Sequence, residues 1–354
     1  MSSESTLAIE ISGRRIAADE SPFIVAEISA NHGGSIDRAL ELIRLAAEAG
    51  ADAVKLQTYT PDTITIDFDG PGFQIEGGLW DGRNLYDLYK EAHTPWKWHP
   101  RLFEYGRELG IIMFSSPFDE TAVDFLERLG TPAYKIASFE LVDIPLIEYA
   151  AKTGKPLVMS TGMAGVEEIE TALNAARKSG AEEIALLHCT SGYPTPAKDS
   201  NIKTLVDIGT RFGVVSGLSD HTMGISVPVA ASALGAAIIE KHFTLRRADG
   251  GPDAAFSLEP QEFAEMVTAC RTAARALGCV TYERQTSEME NAKLRRSLYA
   301  VADIAAGETF TKENIRAIRP GYGLPPKELK NVLGRISTQE IKRGSPIRHQ
   351  LVAG

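Results

Sequence analysis

The chain has 354 residues, a formal net charge of −10, 44% hydrophobic residues and 24% charged residues. This size suits a barrel plus a small module, and the composition is that of an ordinary soluble globular protein. The acidic balance and the lack of any Lys/Arg run exclude a general nucleic-acid binder, and the longest apolar stretch, 225–239, is too short to span a bilayer.

Cys189, Cys270 and Cys279 have no zinc-type spacing and leave one thiol unpaired in any disulfide scheme, so a reducing cytoplasm is expected. The first seven residues are polar and do not read as a signal peptide.

In chain order, residues 6–18 predict a hairpin turning at Gly13, placed as a cap on the lower end of a barrel. Strands are then predicted at 23–27, 53–57, 111–115, 133–137, 157–161, 184–189, 214–218 and 238–242. These runs are continuously apolar rather than alternating, as parallel strands covered by helices are. Helices are expected between them at 37–49, 101–109, 121–129, from Pro145 after an Asp143 cap, and at 166–178, 202–212, 226–234 and 260–277. Eight strands alternating with eight helices predict a (β/α)8 TIM barrel over 23–281, matching the ~250 residues typical of that fold. A doubly wound open sheet is the alternative, but no Gly-x-Gly-x-x-Gly follows the first strand.

The connection at 58–100 is far longer than an ordinary βα loop, and long loops in compact domains usually form lids or substrate walls. Its Trp80, Tyr86, Tyr89, Trp96 and Trp98 are read mainly as packing residues. Residues 282–293 read as a linker, and 294–354 as a second domain of short strands with a faint repeat, 303–308 against 340–345.

In α/β barrels the chemistry lies at the C-terminal strand ends. Those ends carry Glu27; Lys55 and Gln57; Ser115 and Ser116; Lys135, Ser138 and Glu140; Ser160 and Thr161; His188, Thr190 and Ser191; Ser219, Asp220 and His221; Lys241 and His242. Lysines and hydroxyls converging on one rim point to an anionic ligand. His221 and His242 end neighbouring strands, beside Asp220 and Glu27, and suit an octahedral ion such as Mn²⁺, with Mg²⁺ or Co²⁺ as alternatives. His32 is read as a turn residue. A Schiff-base aldolase using Lys55, Lys135 or Lys241 is a rival reading, as is a carbohydrate-binding protein with an inert barrel.

The segments 25–32 (Val-Ala-Glu-Ile-Ser-Ala-Asn-His), 55–57 (Lys-Leu-Gln), 134–138 (Tyr-Lys-Ile-Ala-Ser), 160–163 (Ser-Thr-Gly-Met), 187–190 (Leu-His-Cys-Thr), 218–222 (Leu-Ser-Asp-His-Thr) and 240–244 (Glu-Lys-His-Phe-Thr) together resemble the sialic acid synthases. The tail around 319–323 (Arg-Pro-Gly-Tyr-Gly) is similar to their antifreeze-like (SAF, β-clip-like) domain, and the loop 78–96 looks like their pseudaminic acid branch. Where many members carry an Asn after Leu-His-Cys-Thr, this chain has Ser191.

The resemblance implies a transferase that condenses phosphoenolpyruvate with an amino-sugar aldehyde. For this branch the acceptor is 2,4-diacetamido-2,4,6-trideoxy-L-altrose, with N-acetylneuraminic or legionaminic acid synthesis as alternatives. It implies phosphoenolpyruvate contacts from Lys55, Ser116, Lys135, Ser138, Ser160, Ser191 and Ser219, and sugar contacts from Glu27, Gln57, Tyr193, Asp253 and Arg319. It also implies metal ligation by His221 and His242, a water-positioning role for Glu140, an electrostatic role for Lys135, and a domain-swapped homodimer.

Overall fold

Ile9, Ile11 and Ile16 alternate with polar neighbours along β1 (Ala8–Ile11) and β2 (Arg14–Ala17), which pair antiparallel. Between them Ser12 and Gly13 both have positive φ, 51° and 78°, as a two-residue turn matching strand twist requires. The computed structural model describes residues 7–353, so Thr6 of the expected hairpin lies outside the described residues.

Eight parallel strands follow: β3 (Phe23–Glu27), β4 (Ala53–Thr58), β5 (Ile112–Pro117), β6 (Tyr134–Ile136), β7 (Leu157–Ser160), β8 (Ile184–Cys189), β9 (Val215–Asp220) and β10 (Ile238–His242). They pair in sequence order, and β10 pairs with β3 to close a barrel. β5 and β9 each end two residues later than expected, so Ser116, Ser219 and Asp220 lie within strands rather than in turns.

Ten helices accompany these strands among the described residues of this unit: α1 (Ile36–Glu48), α2 (Pro61–Ile64), α3 (Leu85–Ala92), α4 (His99–Leu109), α5 (Glu120–Leu129), α6 (Ile144–Ala151), α7 (Val166–Lys178), α8 (Thr204–Phe212), α9 (Ser226–Ala233) and α10 (Pro260–Leu277). Local chemistry sets their ends. Ser35, Asp119 and Asp143 cap α1, α5 and α6 by accepting from the backbone N–H groups of Arg38, Ala122 and Leu146. The long connection after β4 is built on α2 and α3, and Asn84 caps α3.

Two apolar layers hold the barrel. Between strands and helices, Leu42, Leu56, Leu126, Met159 and Phe263 belong to one buried cluster. Inside the barrel, Ile9, Ile11 and Ile16 of the hairpin share a second cluster with Phe23, Phe114, Val158, Leu187 and Ile238. Most of these strand residues stand toward the N-terminal ends of their strands, which places the hairpin at the lower mouth.

The chain divides into two units between Gly278 and Cys279. The second contains the pair β11 (Ser297–Ala300) and β12 (Ile315–Ile318) around a core of Leu298, Phe310, Ile315, Ile341 and Ile347. The two halves of its repeat face each other: Ile304 and Ile341 exchange both backbone hydrogen bonds. Among the described residues no helix is long and apolar enough to cross a membrane.

Candidate active site

The upper half of the barrel interior is charged. On β4, Lys55 Nζ lies 2.5 Å from Glu27 Oε2 of β3 and 3.3 Å from Glu240 Oε1 of β10. Lys135 Nζ of β6 lies 3.3 Å from the same Glu240 oxygen, and Ser219 Oγ donates to it at 2.9 Å. All these groups are buried.

Burial opposes ionisation throughout this cluster. For Lys55 the carboxylates of Glu240 and Glu27 outweigh burial and raise its pKa. For Lys135 burial wins, and its pKa is lowered. Burial works against the Glu240 carboxylate, but Lys135 and Lys55 overcome it and hold its pKa below the usual carboxylate range. Glu27 is raised, chiefly by burial. The result is an ion cluster whose members each depend on the others' charge.

Hydroxyls surround it. Ser116 Oγ is 3.5 Å from Lys55 Nζ. Ser138 Oγ accepts from the Gly162 N–H at 3.1 Å. A Cβ on Gly162 would lie 2.3 Å from Ser191 Oγ and 2.7 Å from Ser138 Oγ, so only glycine lets these two hydroxyls approach the turn. Ser160 Oγ and Glu140 Oε2 are buried with no hydrogen-bond partner among the described residues. Unsatisfied polar atoms are rare in native interiors, and here they stand at the ends of neighbouring barrel strands and in the loops that follow them. Burial pushes the Glu140 carboxyl up to about 7.

His221 and His242 stand with ring centroids 5.3 Å apart. His221 Nδ1 is 3.1 Å from the Thr190 carbonyl oxygen. A carbonyl only accepts, so Nδ1 carries the proton and the Nε2 lone pair is left for a ligand. His242 Nδ1 meets Ser29 Oγ at 3.3 Å. A second hydrogen bond on the other ring nitrogen is what metal-ligating imidazoles have, so the pair fits a divalent ion, with the tautomer fixed at His221 by the carbonyl and left open at His242, where the Ser29 hydroxyl can donate or accept. Among the described residues no group of three or more His, Cys, Asp or Glu side chains is placed to hold one. The two imidazoles would therefore share their ion with water or substrate oxygens.

Three residues read from the sequence as possible participants are committed elsewhere. Asp220 accepts from Thr222 N and Thr222 Oγ1 and pairs with Lys241 Nζ at 2.5 Å. Asp220 is thus not a free oxygen beside the imidazoles, and Lys241 is not a free amine. Glu27 is bound to Lys55 and accepts from the Ser29 N–H, so it acts as a counter-ion to the lysine. His32 is fully buried against the edge of Trp98 and accepts from the Gly34 N–H.

Above this floor opens a cavity of ≈ 300 Å³. Gln57, Glu140, Tyr193, His242 and Asp253 are among its lining residues. Burial raises the Asp253 carboxyl. Trp96 and Trp98 pack on Phe125 and His32, whereas Trp80 and Tyr89 line the cavity. Arg319 lies in the second unit, beside Arg295 and Arg296.

Glu240 was not singled out in the sequence, although the signal was present. In a strand side chains alternate faces, so an inward His242 implies an inward Glu240 and an outward Lys241.

The sequence matches the NeuB family over residues 42–282 and the SAF domain over residues 295–353. The chain belongs to the NeuB family. Among NeuB-family relatives, it is 45% identical to the pseudaminic acid synthase of Campylobacter jejuni subsp. jejuni, over 93% of this chain and 96% of that protein. It is 44% identical to the pseudaminic acid synthase of Helicobacter pylori, over 92% of this chain and 96% of the relative. Among solved structures, the N-acetylneuraminic acid synthetase of Leptospira borgpetersenii superposes with a TM-score of 0.72 at 34% identity, covering 81% of this chain and 95% of that one.

Proposed function

We propose that this NeuB-family chain is a pseudaminic acid synthase, a transferase that joins phosphoenolpyruvate and water to 2,4-diacetamido-2,4,6-trideoxy-L-altrose and releases phosphate. The observation that carries this reading is the floor of the barrel mouth. Two buried ammoniums share one carboxylate oxygen there, in the same strand-end layer as the hydroxyl of Ser160, which has no hydrogen-bond partner among the described residues. Such a site offers ammonium and hydroxyl donors to an anion with several acceptor oxygens, and an enol phosphate bearing a carboxylate has them. The relatives of the same name, aligned over almost the whole chain, support the acceptor.

In this reading Lys55, Ser116, Lys135, Ser138, Ser160, Ser191 and Ser219 hold phosphoenolpyruvate. Gln57, Tyr193 and Asp253 contact the open-chain sugar, and Glu27 acts through Lys55. C3 of the enol forms a bond to the aldehyde carbon, whose oxygen gains a proton. Water then adds to the cation left at C2 and gives up a proton, for which the Glu140 carboxylate is the acceptor. The tetrahedral carbon finally expels phosphate with the C–O bonding pair while its hydroxyl proton passes to the departing phosphate, leaving a 2-keto acid. Lys135 offsets charge as the phosphate departs. A divalent ion held by His221 and His242, Mn²⁺ in our reading, would supply Lewis-acid polarisation of the aldehyde.

Arg319 would approach the sugar from the C-terminal unit of a second copy, which makes a domain-swapped homodimer the working assembly. The three cysteines, all free, fit a reaction in the cytoplasm.

Mass spectrometry of products tests the proposal directly. The full chain is supplied with phosphoenolpyruvate and Mn²⁺ and, separately, with the trideoxy-L-altrose, N-acetylmannosamine and the legionaminic precursor. Pseudaminic acid as the dominant product supports the reading. Faster turnover of either other sugar reassigns the acceptor. Borohydride trapping of a lysine adduct would replace the mechanism with Schiff-base chemistry.

A further inference from the structure

The cavity above the charged floor has two unlike sides. Toward the barrel it presents Gln57, Glu140, His242 and Asp253, each able to hydrogen-bond or ionise. The other side comes from the long connection after β4, and there, besides the phenols of Tyr59 and Tyr89, Ile64 closes α2 while Leu88 and Ala92 belong to α3. Those three side chains have no polar atom.

Trp80 completes this wall, and its single donor is already used: indole Nε1 donates to the Pro252 carbonyl at 2.9 Å. Its ring lies 5.3 Å from that of Tyr193. Trp80 thereby ties the connection to the loops after β8 and β10. A ligand group against this wall finds no hydrogen-bond partner in Ile64, Leu88, Ala92 or the Trp80 N–H.

We propose that the wall of Ile64, Trp80, Leu88 and Ala92 determines acceptor specificity by seating methyl groups, the deoxy C6 methyl and an N-acetyl methyl, and by leaving a hydroxyl at that position without a partner. This rests on the pseudaminic acid synthase reading and adds the part of the site that chooses the sugar. A hydroxyl stripped of water there loses its hydrogen bonds. Apolar pockets discriminate against added hydroxyls by roughly 10²-fold, and the wall supplies selection of that order. It acts on the acceptor only, because the phosphoenolpyruvate groups lie on the floor beneath.

Leu88→Asn and Ile64→Ser test the wall. For each full-length variant, kcat/KM is measured with 2,4-diacetamido-2,4,6-trideoxy-L-altrose and with N-acetylmannosamine, and KM for phosphoenolpyruvate is measured alongside. The expected result is a fall in the ratio of the two kcat/KM values by about tenfold or more, with KM for phosphoenolpyruvate within about twofold of the parent. An unchanged ratio in both variants, with that KM retained, overturns the inference and leaves the proposed function standing. If the parent protein releases phosphate with neither sugar, the proposed function falls, and this inference with it. Ala92→Ser is the smallest change and guards against misfolding. It should lower the ratio in the same direction, and an unchanged ratio there, with intact phosphoenolpyruvate binding, also counts against the wall.

Discussion

The same eight strands build two opposite environments. At the lower end of the barrel, Phe23, Phe114, Val158 and Ile238 pack with Ile9, Ile11 and Ile16 of the hairpin in a dry apolar layer. Along the same strands, at the upper end, Glu27, Lys55, Ser116, Lys135, Ser160, Ser219 and Glu240 fill the interior with charge and hydroxyls. The lower layer is complete by itself. The upper one keeps oxygens on Ser160 and Glu140 that have no partner among the described residues and gathers buried charges that only mutual pairing makes tolerable. Stability and chemistry are therefore separated along the barrel axis, and substitutions at the two ends should behave differently.

The largest separation is expected at the imidazole pair. His221→Ala or His242→Ala should reduce metal-dependent phosphate release on the order of 10³-fold or more, while circular dichroism shows a folded barrel. Full activity in either variant would remove the metal reading.

Glu240→Gln should sharpen the contrast in a second way. It leaves the ammoniums of Lys55 and Lys135 without their shared carboxylate, and breaking a buried ion cluster costs about 3 kcal/mol or more. Stability in urea should fall accordingly. Phosphoenolpyruvate, as a replacement anion, should raise Tm more in this variant than in the parent. An equal or smaller ligand shift would mean that the anion does not bind at these lysines.

At the lower end, Ile11→Ala should lower stability by about 2 kcal/mol through its cavity and leave KM for phosphoenolpyruvate and the sugar unchanged. A KM change as large as the stability loss would show that the two ends are coupled.

A further contrast is in pH dependence. The Glu140 carboxyl, pushed up to about 7 by burial, is protonated below that pH. If the ionised form accepts the proton of water, kcat should fall as pH drops through about 7, and Glu140→Gln should lose that limb along with most of its activity. The folded state holds this proton up to about 7, while the unfolded chain releases it near the ordinary value of 4.5. Over that window stability therefore declines as pH rises, and the Gln variant should show less of this decline.

Much of this division was legible in the sequence, for physical reasons. Apolar runs ending in Lys55, Lys135, Ser160 and His242 announce buried strands with polar upper ends, and Asp143 before Pro145 announces a capped helix that the structure contains. Pairings across the barrel were not legible, because they depend on which strands become neighbours. Glu240 meets Lys55 and Lys135 only when β10 closes the cylinder. Asp220 looked available beside His221, yet Lys241 claims it across β9 and β10. The apolar wall of Ile64, Leu88 and Ala92 was hidden for another reason. It comes from a connection with no sustained periodicity, so its inward side could not be read from spacing.

Calorimetric titration of phosphoenolpyruvate into the full-length parent protein, Lys55→Met and Lys135→Met tests the charged floor most directly. Loss of a desolvated charge pair typically costs 2–5 kcal/mol. The floor described here predicts at least about 30-fold weaker binding in each folded variant. Parent-like affinity in both would contradict it, because the anion would then have to bind somewhere else.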